Sequence, residues 1–479
     1  MERVFGAING VFSFIGPLSD FLWEFPTNFG SYSSIPILGN ISFAIILLLG
    51  SGIFFSFRIG FMQVTYFKKG IRTMTEKRVV ETGISPLASF FLSSAMRVGP
   101  GNILGVTGAI AAGGPGALFW MWISAFFGMA VAYMEGVLAQ IFKEKKDDEF
   151  VGGLPFYGRK LLGNKVWIGI FLSVLYILYA LCCLPAQGFN VVSSVGRMAE
   201  IITGKTIASG SAFYYIVGTL IVILTAAIAF GGIKKVSRWT DMMVPVMAVL
   251  YFVITLFIIF TNLGSMPGVF KRIFEEAFGI RQVAAGGFGA VLMNGVKRGL
   301  FSNEAGSGSA PCAAAAAECD QPVKAGFVQA LGVFVDTIVI CSCTAMIMLL
   351  APEDLVSGLS GMELLQTAMR YHLGEFGVIF IAATLFMFSF STFLGILFYA
   401  RSNVAYLFGD NWASQTGYKI IALVMLFIGG IAAYTFVWDL GDVGIGLMTI
   451  FNIFMLYPLG GKAIRELKNY EEEKKIKKV

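Results

Sequence analysis

The stretch Met96-Arg97-Val98-Gly99-Pro100-Gly101-Asn102-Ile103-Leu104-Gly105 lies in an apolar segment long enough for a membrane helix, yet holds residues that interrupt one. Pro100 removes a donor from the i to i−4 ladder, and Gly99 and Gly101 free the backbone on either side of it. Unpaired backbone groups are costly in hydrocarbon unless the break lines a polar cavity inside the protein. Residues 98 to 102 therefore read as the joint of a discontinuous helix, with carbonyls for a cation and amides for an anionic group. The bland alternative is a proline kink packed against neighbouring helices. A second Gly-rich interruption, Ala285-Gly286-Gly287-Phe288-Gly289-Ala290, falls in a later apolar segment. Asp336 sits mid-span in Gly332-Val333-Phe334-Val335-Asp336-Thr337, where an ionisable group points to ion coupling or gating, or to a structural partner for Arg97. Lys297 and Arg298, followed by Asn303-Glu304, suggest an inner gate network or snorkelling charges.

The elements that must position these residues follow from composition. Hydrophobic residues make up 57% of the 479, charged residues only 13%, and mean hydropathy is +0.77. Such a chain is an all-α polytopic membrane protein; the 46 Phe suit lipid-facing surface and the 57 Gly suit close helix contact. The formal charge of +6 does not imply nucleic acid, because the basic residues cluster in loops. The six cysteines form neither a disulfide framework nor a metal site. The single histidine, His372, argues against a histidine-ligated metal centre. No charged n-region followed by an apolar run and a cleavage site opens the chain, so the first span is expected to serve as the insertion signal.

Residues 1–36 read as a helical segment at the membrane interface. An extra first span and a basic loop occupy 37–84. Further spans are expected near 86–112, 116–142, 166–190, 212–232, 241–263, 278–300, 325–351, 374–403, 418–437 and 441–459, which makes about eleven. Placing the N-terminus outside puts most of the 35 Lys and Arg in cytoplasmic loops and in the charged tail, 461–479. Without the first span, ten helices fall into two sets of five, 85–263 and 264–460, each opening with a Gly-interrupted helix. Matching interruptions in two halves point to the binding site of an inverted-repeat transporter, and an odd number per half requires opposite insertion.

Gly99-Pro100-Gly101-Asn102-Ile103, Gly113-Gly114-Pro115-Gly116-Ala117-Leu118-Phe119-Trp120-Met121-Trp122 and the run Arg298-Gly299-Leu300-Phe301-Ser302-Asn303-Glu304-Ala305-Gly306-Ser307-Gly308-Ser309-Ala310-Pro311 resemble the alanine or glycine:cation symporter family over residues 37 to 460. The resemblance implies a LeuT-like 5+5 inverted repeat with one extra N-terminal helix, and symport of a neutral amino acid with sodium into a prokaryotic cell. It also implies a multi-pass plasma-membrane location, with the C-terminus cytoplasmic. On that footing the substrate carboxylate meets amides at Gly99, Gly101 and Asn102, where a half-helix dipole favours an anion. The ammonium meets carbonyls around Ala285, Gly286 and Gly287. Gln187 would contribute a polar side chain and Phe288 a wall. Sodium would take the carbonyl of Val98 with the hydroxyls of Ser391 and Thr392, hard oxygen ligands for a hard cation; a hydroxyl bonded back to its own helix is the competing reading. Arg97, Asp336, Arg298 and Glu304 are the candidates for coupling or gating.

The chain departs from the family pattern in two places. Members that carry alanine or glycine have Thr where this chain has Pro100, and Trp near Ile396. Loss of a Trp wall would enlarge the pocket towards glutamine or another mid-sized neutral amino acid. A proton-coupled carrier, which Asp336 would permit, is the first rival, and an ion channel a remoter one. No nucleophile with a base, metal cluster or phosphate loop suggests an enzyme.

Overall fold

The computed structural model describes residues 13–35, 38–76, 83–146, 149–208, 210–231, 233–279, 287–432 and 434–476. Helix α1 (Ile15–Glu24) comes from the segment read as interfacial, but its Trp23 is buried against later parts of the chain. The apolar helix α2 (Phe43–Arg58) follows, started by Ser42, whose hydroxyl accepts from the Ile45 amide. Amphipathic α3 (Phe67–Met74) lies in the basic loop. Next come α4 (Pro86–Arg97), α5 (Leu104–Gly113) and α6 (Gly116–Ile141). The start of α4 is written locally: Ser85 caps the Ala88 amide at 3.1 Å, and Pro86 occupies the first turn, where its missing N–H costs nothing. A short antiparallel hairpin, β1 (Glu144–Lys146) with β2 (Glu149–Val151), pairs Glu144 with Val151.

The long helices α7 (Val166–Thr203), α8 (Ala212–Ala229) and α9 (Ile233–Thr261) complete the first set. The second set contains α10 (Met266–Ala277), α11 (Gly287–Asn303), α12 (Pro311–Ala316), α13 (Pro322–Leu349), α14 (Gly361–Phe408), α15 (Trp412–Ile431) and α16 (Tyr434–Ile476). Inside α13 a wide π-helical turn, Phe334–Cys341, surrounds Asp336, the kind of local widening that helices carry at functional sites. Gly374 breaks α14 into two pieces at φ 62° and ψ −148°.

Eight helices among the described residues are long and apolar enough to cross a membrane. The pairs α4–α5 and α11–α12 are each shorter pieces on either side of a break, and α2 has 16 residues. Enclosure differs: α13 and α14 are the most buried, whereas α8 and α9 turn most of their apolar surface outward to lipid.

One expectation is corrected. The second interruption was placed at Ala285–Ala290; residues 285 and 286 lie outside the described residues, and 287–290 form the first turn of α11. Gly289 is needed there for packing, since a Cβ would come within 3.0–3.3 Å of the Asn40 side chain. Among the described residues, the break in this segment falls at residues 304–310, between α11 and α12.

Candidate functional site

The first break is made at three positions that leave the helical ladder, two with redirected donors and one with none. The Gly99 amide bonds Asn102 Oδ1 at 2.7 Å, Pro100 has no N–H, and the Asn102 amide bonds the Gly99 carbonyl at 3.1 Å. An unbroken helix would send the Gly99 and Asn102 amides to the carbonyls of Ala95 and Val98, and Pro100 leaves the Met96 carbonyl without a donor from the ladder. The helix resumes with the Thr107 amide on the Ile103 carbonyl at 3.0 Å. Gly99 is obligatory for another reason: a Cβ would collide with Thr392 Oγ1 of α14. At Gly101 a Cβ would stand 3.1 Å from the Ser302 Cα, so the two broken helices touch here.

The second break is built from Glu304, Gly306 and Gly308, all at positive φ. Its freed amides do not point into open space. Gly306 donates to Glu135 Oε2 at 3.1 Å and Gly308 to Glu135 Oε1 at 2.8 Å, from a fully buried carboxylate on α6. Asn452 of α16 donates to the same carboxylate at 2.6 Å and to the Gly306 carbonyl at 2.8 Å, and is itself held by the Tyr157 hydroxyl at 2.5 Å. Glu304 accepts from the Tyr179 hydroxyl at 2.7 Å and from Ser309.

Arg97, 2% exposed, ties the two breaks together: its Nε donates to the Asn303 carbonyl at 2.9 Å, and its Nη1 to the Gln329 carbonyl at 3.4 Å. Asp336 is fully buried between the breaks and accepts from Asn102 Nδ2 at 2.6 Å, Ser302 Oγ at 2.9 Å and Thr337 Oγ1 at 2.8 Å. These partners are neutral and Arg97 makes its bonds elsewhere, so the Arg97–Asp336 pair, one of the two readings of Asp336, does not form. Its guanidinium instead bonds one carbonyl at the edge of the second break and one on α13, and its Nη2 is buried without a partner among the described residues. Within this core stand three buried carboxylates, Glu135, Glu304 and Asp336, and one guanidinium. Buried charge of that kind is stabilised by pairing or by a bound cation.

A cavity of about 20 Å³ lies between the breaks, lined by Gly99, Gly101, Gln187, Phe301, Thr392 and Ile396 among others. That is close to the space of one water molecule, so its walls must part to admit anything larger. Gln187 has an Oε1 without a partner, and its Nε2 makes a long 3.4 Å bond to the Cys183 carbonyl. Thr392 Oγ1 is likewise buried without a partner among the described residues, beside Gly99. Ser391 behaves differently, its hydroxyl donating to the Phe388 carbonyl at 3.0 Å, the back-bonded arrangement.

Three further positions are corrected. Phe288 is not a cavity wall: its ring sits edge-on to Trp120 at 6.0 Å, in a cluster with Ile45, Leu292 and Val296, because it belongs to the first turn of α11, four turns before the break. Gly287 starts that same turn, and Gly286 lies outside the described residues. Phe301, next to the break, takes the wall position, packed on Trp438 at 4.8 Å. Arg298 does not meet Glu304; it forms a two-pronged pair with Asp442 of α16 at 3.1 and 3.3 Å, and Lys297 reaches the same carboxylate at 2.7 Å. Lying before the break, both belong to the half-helix on the side away from the 317–321 loop. Trp23 of α1 braces this cluster, donating to the Asp442 carbonyl at 3.1 Å.

Sequence reasoning missed Glu135, Asn452 and the break at 304–310. Signals were present: Glu135 is an ionisable residue within a span, and four Gly or Ser residues, 306 to 309, stand just before Ala310 and Pro311, which opens α12.

A model of the sodium:alanine symporter family matches residues 32–479. The chain belongs to that family. Among its curated relatives are the amino-acid carrier protein AlsT of Bacillus subtilis, 38% identical over 93% of each chain, and the probable sodium/glutamine symporter GlnT of the same organism, 40% identical over 91% of this chain and 89% of the relative. The sodium/alanine symporter AgcS of Methanococcus maripaludis is 35% identical over 90% of this chain and 95% of its own. Among solved structures, MhsT in complex with L-phenylalanine superposes with a TM-score of 0.57 at 14% identity, covering 81% of this chain and 93% of MhsT. The nucleobase-cation-symport transporter Mhp1 superposes with a TM-score of 0.51 at 13% identity, covering 83% and 80%. The fold of this symporter-family chain is thus the LeuT-like one, and it is a transporter rather than an enzyme.

Proposed function

We propose that this protein carries a neutral amino acid inward with sodium, by alternating access around the two meeting breaks. The observation that carries the reading is the contact between them: Gly101 packs on Ser302, and Asp336 bonds Asn102 of the first break and Ser302 at the edge of the second. Ser302, Asp336 and Thr337 gather hard oxygens around a buried negative charge, which suits sodium as cargo. Thr392, with the Val98 carbonyl, offers a second oxygen set on the other flank of Gly99. The freed end of the first break suits the substrate carboxylate, and Gln187 suits a polar part of the same molecule. Arg298 with Asp442 would bar the pathway on one side.

The two five-helix sets, 85–263 and 264–460, are the units that would rock against one another, with the N-terminus outside and the tail cytoplasmic. Ile396 at the cavity favours a substrate larger than alanine, with glutamine as the candidate. The test is uptake of an amino-acid panel into proteoliposomes with and without a sodium gradient. Sodium-dependent accumulation is expected, with glutamine competing at least as well as alanine. Uptake that ignores sodium but collapses with a protonophore would replace sodium by protons, and single-channel currents would overturn the carrier reading altogether.

A further inference from the structure

A second, larger cavity of about 440 Å³ lies where the end of α8 meets α14 and the first turns of α15. It shares no residue with either break: Leu397 and Phe398 line it, whereas their neighbour Ile396 lines the central cavity. Its floor is aromatic and aliphatic, and its rim is basic. Arg401 is held by Asp410 at 3.0 Å, and Lys419 Nζ stands 5.4 Å above the centre of the Phe230 ring. Two polar atoms of lining residues are buried and have no partner among the described residues, the Tyr418 hydroxyl and Gln415 Oε1. Tyr418 is 6% exposed. An orphaned hydroxyl there is costly unless a ligand completes it.

The surroundings say what that ligand is. Trp412, 82% exposed, marks the bilayer interface at the start of α15. From the cavity mouth, Ile223 and Leu224 of α8 and Ile420 and Val424 of α15 form an outward apolar surface running into the hydrocarbon. Successive spans put the cavity on the same face as the 143–165 loop, whose Lys143 donates to the Ala317 carbonyl at 3.0 Å. A molecule that fits has an anionic, hydrogen-bond-accepting head and two apolar tails.

We propose that this cavity binds the headgroup of an anionic phospholipid, with Lys419 contacting the phosphodiester, the Tyr418 hydroxyl donating to a phosphate or glycerol oxygen, and the acyl chains lying along α8 and α15. Basic pockets between spans on the positively charged face are suited to such headgroups. The inference does not depend on which amino acid is carried.

The test uses the full chain in detergent, titrated with phosphatidylglycerol or phosphatidylcholine and followed by native mass spectrometry and thermal stability. Phosphatidylglycerol is expected to bind about 5-fold more tightly than phosphatidylcholine, with Lys419→Gln erasing that preference, Lys419→Arg restoring it and Tyr418→Phe weakening both lipids. Equal binding of the two lipids, or a preference unchanged in Lys419→Gln, overturns the proposal. So does full competition by inorganic phosphate, which would make the site one for a free anion. Because Lys419→Arg keeps the charge and the packing on Phe230, a folding defect in Lys419→Gln is separable from loss of the ligand.

Discussion

At the scale of single residues, the two hydroxyls that adjoin each other on α14 separate by their bonding. Thr392 Oγ1 is unpartnered beside Gly99, whereas Ser391 Oγ is satisfied within its own helix. Thr392→Ala is therefore expected to raise the sodium concentration for half-maximal uptake by ~10-fold or more, and Ser391→Ala to change it by less than about 2-fold. Sodium titration of proteoliposome uptake decides; a larger effect from Ser391 would remove Thr392 from the ion path. Asp336→Asn, which keeps the shape but removes the charge, should abolish sodium dependence altogether in the same assay. For substrate choice, Ile396→Trp refills the wall. Since a methylene in a pocket is worth about 1–3 kcal/mol, glutamine uptake should fall ~10-fold or more relative to alanine. An unchanged ratio would detach Ile396 from selectivity.

At the scale of elements, the second break depends on an acceptor from another helix. Glu135→Gln replaces a charged acceptor of the Gly306 and Gly308 amides with a neutral one, and hydrogen bonds to charged groups contribute about 1.5–3 kcal/mol each. A clear fall in melting temperature is expected with helix content retained, measured by fluorescence and circular dichroism on purified protein. An unaltered melting temperature would mean that water or a rearranged loop replaces the carboxylate. The same element shows what a sequence can reveal. The break at Gly99–Asn102 was legible because proline between glycines frees backbone groups that hydrocarbon does not satisfy, which left a packed proline kink as its rival. Gln187, Ile396 and Thr392 followed from the resemblance and do line the cavity. The break at 304–310 was not recognised, because Ala285–Ala290 carries more glycine, and glycine density alone does not distinguish a broken helix from a close helix contact. What separates them is a buried acceptor for the freed amides, and Glu135 lies about 170 residues away in the chain. The partner of Arg298 was hidden for the same reason, since Asp442 lies 144 residues further along the chain.

At the scale of the whole molecule, one face is tied shut by charge outside the membrane core. Glu76 binds Lys324 at 2.6 Å and Lys69 at 3.0 Å, joining the basic loop to the start of α13. Partial burial pushes its pKa up, but bonds to the two ammonium groups outweigh this and hold the carboxyl below the ordinary glutamate value. A depressed folded-state value means that the stabilisation is present above the unfolded-state pKa and is lost as pH falls through the folded one. The melting temperature of wild type should therefore exceed that of Glu76→Gln at neutral pH, with the gap closing in acid. A gap that persists once Glu76 is protonated would assign the effect to packing. The pair is partly exposed, so high salt should narrow the gap as well.

Glu135 has one more consequence for the molecule as a carrier. Two openings in the main chain could in principle welcome two anionic ends of a cargo, but one of them is permanently sated by a side chain of the protein itself. On the proposed function, selection against acidic amino acids would rest on occupancy rather than on size: aspartate and glutamate would bring a second negative end to a chamber already rich in carboxylates. Neither should compete measurably for uptake at neutral pH, even though glutamate and glutamine have nearly the same shape.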